Sequence, residues 1–318
     1  MATGMPPAER SRQEKPSAEK TDRAAAPSLR VRDILFPTDL SPESDHAFEH
    51  ARFLAELFQA RITLYHAVEG PRAAYADWVE VGEELLYARV AARAREALAQ
   101  RTKDLTVPHK LVVKGGVPAL PLLVDVVLLD WIRRTRPDLT VMATHGRAGA
   151  ARFFLGSVTE QVLRECSRPV LCVREPEGDV TGIPYRRILV PTDLSNASRR
   201  AFPWAAGLAK ILGAEVASVH VTPCPSLASL SGIPSVITEA FPSEATVWKF
   251  LQPDFAGVPV TAHILPGTAW DRIVFAAREE KADLVVMATQ GHDSLGDRLL
   301  GSHTERVVRH APCPVLVV

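Results

Sequence analysis

The chain is written twice, and that duplication limits its fold more than any other feature. Arg32-Asp33-Ile34-Leu35-Phe36-Pro37-Thr38-Asp39-Leu40-Ser41 returns as Arg186-Arg187-Ile188-Leu189-Val190-Pro191-Thr192-Asp193-Leu194-Ser195. Val141-Met142-Ala143-Thr144-His145-Gly146 returns as Val286-Met287-Ala288-Thr289-Gln290-Gly291, and Leu155-Gly156-Ser157 as Leu300-Gly301-Ser302. The closing Pro169-Val170-Leu171-Cys172-Val173 returns as Pro314-Val315-Leu316-Val317-Val318. The shift falls from 154 residues at the first motif to 145 at the last, so the second copy carries small deletions. A single long period in matched order describes a duplicated domain; a solenoid would repeat every ~20–50 residues. The length of 318 residues agrees with two domains, at roughly 100–200 residues each.

Within a copy, β-rich runs alternate with helical patterns. Ile34–Phe36 is a short strand. Ser41-Pro42-Glu43 then supplies an N-cap, a proline at the first helical position and an early acid. Ala47, Phe48, Ala51, Leu54, Ala55 and Phe58 follow at helical spacing. The same reading predicts strands at Arg61–His66, Lys110–Val113, Leu139–Ala143 and Val170–Val173. It predicts helices over Tyr75–Arg101 (with a broken start), Leu120–Thr135 and Ser157–Cys166. The expected fold is α/β: two tandem doubly wound domains, each a five-stranded parallel sheet with helices on both faces. The domains are expected at 31–173 and 186–318. Residues 1–30, rich in Ala, Pro, Ser, Lys, Arg and Glu, read as a disordered tail. Residues 174–185, with Pro176, Gly178, Gly182 and Pro184, read as a linker.

Composition removes several classes of function. Lys+Arg and Asp+Glu both count 37, whereas a protein that grips a nucleic-acid backbone carries a basic excess. The four cysteines form no CxxC pair, which fits a reducing compartment. No apolar run approaches the ~18–20 residues of a membrane span. The N-terminus lacks the apolar core of a secretory signal. The expectation is a cytoplasmic protein without nucleic-acid or membrane partners.

Ligands of doubly wound sheets sit at the carboxyl ends of the strands, and the repeated motifs fall there. Asp39 and Asp193 leave a strand just before a helix. Either they hold turn amides, or they accept a hydrogen bond from a ligand amine or ribose hydroxyl. Gly146 is followed by nine residues and then Gly156-Ser157. Loop amides and a helix N-terminus together make an anion site. No Walker A lysine follows, so fast phosphoryl transfer lacks its usual starting point. Neither Gly-x-Ser-x-Gly nor a zinc-hydrolase pattern is present. His66 and His220, in matching places, read as packed and hydrogen-bonded. His46 and His50, one helical turn apart, read as a solvated face. Cys224 and Cys313 lack an activating partner in sequence. The Arg89–Arg101 helix reads as a salt-bridged solvent face.

These residues resemble the universal stress proteins in their tandem form. The resemblance covers about 31–173 and 186–318 and rests on three features. They are the Ile-Leu-Phe-Pro-Thr-Asp opening, the glycine-rich loop into Gly-Ser, and the closing Pro-Val-Leu strand. It implies stress-response regulation through binding of ATP or a related adenine nucleotide, with or without Mg2+ and with little or no catalysis. By resemblance, Asp39 contacts the adenosine end, and Pro37, Thr38 and Ala67 shape the base pocket. Met142 and Ala143 lead into the loop, Gly146, Gly156 and Ser157 hold the phosphates, and Arg147 and Val158 are the remaining cofactor-binding candidates of that copy. The second-copy counterparts are Pro191, Thr192, Asp193, Val221, Gly291, Gly301 and Ser302. The family's first loop glycine is Ala143 here and Ala288 in the second copy, where a positive φ would be costly. Asp293 and Asp297 stand in the second copy where the first has Arg147 and Arg152 nearby, so the first copy is expected to be the better site. The competing expectation is a nucleotide-free interaction module. In that module the copies pair through their closing strands, Val170–Val173 and Val315–Val318; under either reading the two domains are expected to pack face to face. Homodimerisation and protein partners stay open.

Overall fold

The protein is described from a computed structural model, which covers residues 29–68, 83–115, 123–144, 155–174, 182–223, 242–289 and 301–318. The predicted tail up to residue 28 and the centre of the predicted linker, 175–181, lie outside the described residues. So do Gly146, Arg147, Arg152, Cys224, Gln290, Gly291, Asp293 and Asp297.

The first copy runs β1 (Asp33–Pro37), α1 (Pro42–Phe58), β2 (Arg61–Val68), α2 (Glu83–Arg101), β3 (His109–Gly115), α3 (Val124–Thr135), β4 (Leu139–Ala143), α4 (Ser157–Glu165) and β5 (Val170–Val173). The second runs β6 (Arg187–Pro191), α5 (Phe202–Leu212), β7 (Glu215–Thr222), α6 (Glu244–Leu251), β8 (Val260–Pro266), α7 (Ala269–Glu279), β9 (Leu284–Met287), α8 (Ser302–His310) and β10 (Val315–Val317). Local chemistry accounts for the first helix. Ser41 is extended and its side chain accepts the Ser44 N–H, Pro42 opens the helix, and Glu43 and Asp45 sit in its first turn. The second copy has Asn196 in place of Pro42 and starts with a short 3-10 turn, Ser198–Ala201, before α5.

All ten strands form one sheet in the order β3-β2-β1-β4-β5-β10-β9-β6-β7-β8. Within each copy the strands are parallel. The copies meet where β5 and β10 pair antiparallel, with Val170, Leu171 and Cys172 opposite Val317, Leu316 and Val315. The pairing strands are those expected, but the packing is edge to edge, not face to face. Joining two apolar closing strands covers an edge that would otherwise expose unpaired backbone.

One core layer lies under α1, α2, α5 and α6 and the other under α3, α4, α7 and α8; each contains residues of both copies. On the second face α4 and α8 meet through four charges. Arg164 contacts Glu160 at 2.9 Å and Glu305 at 3.3 Å, while Arg309 contacts Glu305 at 2.5 Å and Glu160 at 3.6 Å. On the first face the expectation for His50 is overturned. His50 is fully buried, and its Nδ1 is 2.8 Å from the hydroxyl of Tyr185, also buried. Tyr185, just before β6, packs onto α1 and removes His50 from water, while His46 stays half-buried. The described ends of the predicted linker are therefore anchored: Tyr185 at one end, and Arg174 at the other, donating to the carbonyls of Arg309 and Ala311.

Candidate functional site

The strand order turns at β1 and β4, the position where ligands bind in doubly wound sheets. Pro37 ends β1 and Thr38 is buried behind it. The Thr38 N–H bonds the Tyr65 carbonyl at 2.9 Å, and His66 Nδ1 lies 2.8 Å from the Thr38 carbonyl. Asp39 Oδ1 accepts the Ser41 N–H at 3.0 Å and the Ser41 hydroxyl at 2.6 Å. Thr38 Oγ1 accepts the Leu40 N–H and meets the Ser44 hydroxyl at 2.8 Å. These bonds hold Leu40 at φ 64, a left-handed conformation that costs a non-glycine residue roughly 1–3 kcal/mol.

The second copy reproduces the turn. Leu194 has φ 63, Asp193 Oδ1 accepts the Ser195 N–H at 3.0 Å, and Thr192 meets Ser198 at 2.9 Å. His220 Nδ1 lies 2.9 Å from the Thr192 carbonyl. His66 and His220 are thus the packed, hydrogen-bonded residues expected. Sequence reading missed Ser44 and Ser198 and the left-handed leucines. A signal for the two serines was present, because Thr38 and Ser44 recur at the same spacing as Thr192 and Ser198.

The second element is the start of α4. Gly156 is its N-cap, extended and without a side-chain cap bond. The Gly156 N–H bonds the Thr144 carbonyl at 2.8 Å, and the buried Thr159 hydroxyl bonds the Ala143 carbonyl at 2.9 Å. Both contacts bring the helix start to the carboxyl end of β4. Ser157 is exposed at the first helical position, and Val158 packs partly against the core. Gly301, Ser302 and Thr304 repeat the arrangement, Thr304 bonding the Ala288 carbonyl at 3.2 Å. A Cβ on Gly301 would stand 3.1 Å from the Thr289 carbonyl, so glycine lets the chain fold tightly there. Ala143 ends a strand and is not among the described residues with positive φ. Ala143 thus avoids the backbone conformation that would be costly for alanine.

The sheet thus brings Pro37, Thr38, Asp39, Ala143, Gly156 and Ser157 to one edge, with Ala67 near the end of β2. Met142 is there only through its backbone, since its side chain is buried in the core. Pro191, Thr192, Asp193, Gly301, Ser302 and Val221 hold the matching places. Cys313 is buried, and burial pushes its thiol well above the usual range, with Asp283 adding to the effect. That state opposes nucleophilic chemistry. Among the described residues, no group of three or more His, Cys, Asp or Glu could hold a metal, and no helix is long and apolar enough to cross a membrane.

Known proteins resemble this chain in sequence and in fold. The chain is 36% identical over 140 residues to universal stress protein MJ0531 of Methanocaldococcus jannaschii, covering 42% of this chain and 82% of that one. It is 26% identical over 295 residues to universal stress protein Rv2005c of Mycobacterium tuberculosis, covering 89% and 96%. The solved structure of a universal stress protein from Archaeoglobus fulgidus superposes with a TM-score of 0.66 at 22% identity, covering 91% and 96%. The family model for universal stress proteins matches twice, at residues 30–174 and 184–318. The chain therefore belongs to the universal stress protein family, as a tandem member with two such domains.

Proposed function

We propose that the first copy binds ATP or a related adenine nucleotide and acts as a stress-response regulator with little or no catalysis. One observation carries the reading: α4 starts at a glycine with no side-chain cap, beside the β1–β4 turning point. The serine caps of α1 and α6 accept helix N–H groups themselves. At α4 those N–H groups and the positive end of the helix dipole suit phosphate oxygens. Asp39, in a turn fixed by Ser41, supplies a carboxylate for the adenosine end. Gly146 and Arg147 complete the proposed phosphate contacts from sequence. The second copy shares the backbone frame but has Asp293 and Asp297 in its loop, so it binds more weakly. Mg2+ would accompany the phosphates as part of the ligand. The domains are proposed to run over 31–173 and 186–318, in a cytoplasmic protein.

The test is to purify the chain, denature it and assay the supernatant for adenine nucleotide. Stripped protein is then titrated calorimetrically with ATP, with and without Mg2+. About one nucleotide per chain is expected from the one good site. No released nucleotide and no heat at millimolar ATP would leave the interaction-module reading, which the continuous β5–β10 seam favours.

A further inference from the structure

We propose that the face formed by α7 and α8 of the second copy, around Trp270, Arg278 and Arg306, docks an acidic segment of a partner protein. The half-buried Trp270 of α7 lies beside His310 of α8 with ring centroids 5.4 Å apart, and the Arg306 guanidinium stands 5.7 Å from the Trp270 ring. Arg174, Arg309, Arg278 and Arg306 all act on His310, which burial first and these four charges next hold below its ordinary pKa. They come from three places: the segment after β5, α7 and α8. Arg309 is neutralised by Glu305 and Glu160, and Arg174 is tied to helix-end carbonyls. Arg278 and Arg306 are exposed and have no carboxylate partner among the described residues. Further along α7, Phe275 is 43% exposed, with the Arg272 guanidinium 5.2 Å from its ring.

The first copy shows that the fold does not require this cluster. The positions matching Trp270, Arg278, Arg306 and His310 are Asp125, Arg133, Gln161 and Glu165. There Glu165 pairs with Arg133 and also accepts from Gln161. Arg306 beside Trp270, together with Arg278, both without a carboxylate partner among the described residues, thus replace a net acidic set.

The chemistry selects the partner. Guanidinium forks match carboxylates in a two-point geometry, Arg and Trp concentrate binding energy at protein interfaces, and Phe is enriched there. Glu279, Glu280 and Glu305 adjoin these arginines along the chain, Glu280 against His263 and Glu305 against Arg309. A continuous phosphate backbone would meet those acids, whereas a short acidic segment with apolar residues between its carboxylates avoids them. The inference is independent of nucleotide binding, and its test is run without nucleotide.

The probe is a fluorescein-labelled amphipathic peptide with Glu on one face and Leu and Phe on the other. A Gln-for-Glu version and a DNA duplex serve as competitors. Fluorescence anisotropy should show saturable binding to the whole chain that weakens as salt rises, and no binding of the Gln version. Arg278→Glu with Arg306→Glu should weaken it by about tenfold or more, and Arg278→Gln with Arg306→Gln by less in the same direction. Arg133→Glu in the first copy should leave it unchanged. Absence of saturable binding, equal affinity in the reversed variant, or tighter binding of the duplex would each overturn the proposal.

Discussion

Leu171 and Leu316 lie directly opposite each other at the centre of the antiparallel seam, and they are the same position of the duplicated sequence. An approximate two-fold axis therefore passes between them. Both are at most 2% exposed and belong to the first core layer. Because the two environments are near copies, Leu171→Ala and Leu316→Ala should destabilise the chain alike, by about 2–5 kcal/mol each. The double variant should depart from the sum, since residues in contact couple. Urea unfolding of the three variants measures this. A large effect at one leucine alone would contradict a symmetric seam.

The same junction is sealed on α1 by Tyr185. Its ring stacks on His50 at 5.8 Å and meets Phe53 edge-on at 5.7 Å. His50 Nε2 has no partner among the described residues, so the Tyr185 hydroxyl is the polar contact shown for that buried ring. Tyr185→Phe keeps the stacking and strands Nδ1 as well. Leaving a buried polar atom unpaired costs about 1–3 kcal/mol, and chemical denaturation should find a loss in that range.

Acid should act on the same residue. Burial, aided by the charge of His46, pushes the His50 pKa down from 6.5 to about 3. Between those values the unfolded chain binds a proton at this site and the folded chain does not. Stability from His50 is therefore full above about pH 6.5 and is lost as pH falls, with a limiting slope of ~1.4 kcal/mol per unit. His50→Leu should flatten the acid limb of the stability profile relative to the parent over about pH 4–6. An unchanged limb would show that His50 takes up its proton in the folded state as readily as in the unfolded chain.

Much of this architecture is legible in the sequence because the copies check each other. Leu139–Ala143 and Val170–Val173 are read to the residue, and Ser41 caps α1 as its spacing demands. What escapes depends on contacts between copies or on backbone geometry. His50 looks solvated on a helical wheel because Tyr185 is 135 residues away. The left-handed Leu40 has no sequence cue of its own, since leucine rarely adopts that conformation. That the Ala143 backbone stays out of the positive-φ region depends on its place at the end of β4, which the glycine pattern does not reveal. At the site, the turn and the helix start are legible; the burial of Met142 is not, because a strand residue's face depends on which helices cover it.

The proposed division of labour between copies makes the last prediction. Asp39 serves its own turn through Ser41, so Asp39→Ala would confuse a loosened turn with a lost ligand contact. Asp39→Asn keeps an acceptor oxygen for the Ser41 N–H and removes the charge. A hydrogen bond to a charged group contributes roughly 1.5–3 kcal/mol, so Asp39→Asn should weaken ATP binding by about tenfold or more. Thermal stability should change little. Asp193→Asn, in the same turn of the second copy, should leave the main binding isotherm intact. Calorimetric titration of ATP into both stripped variants compares the copies within one chain. Equal losses would mean that the copies bind alike, and the acidic loop of the second would then need a different role.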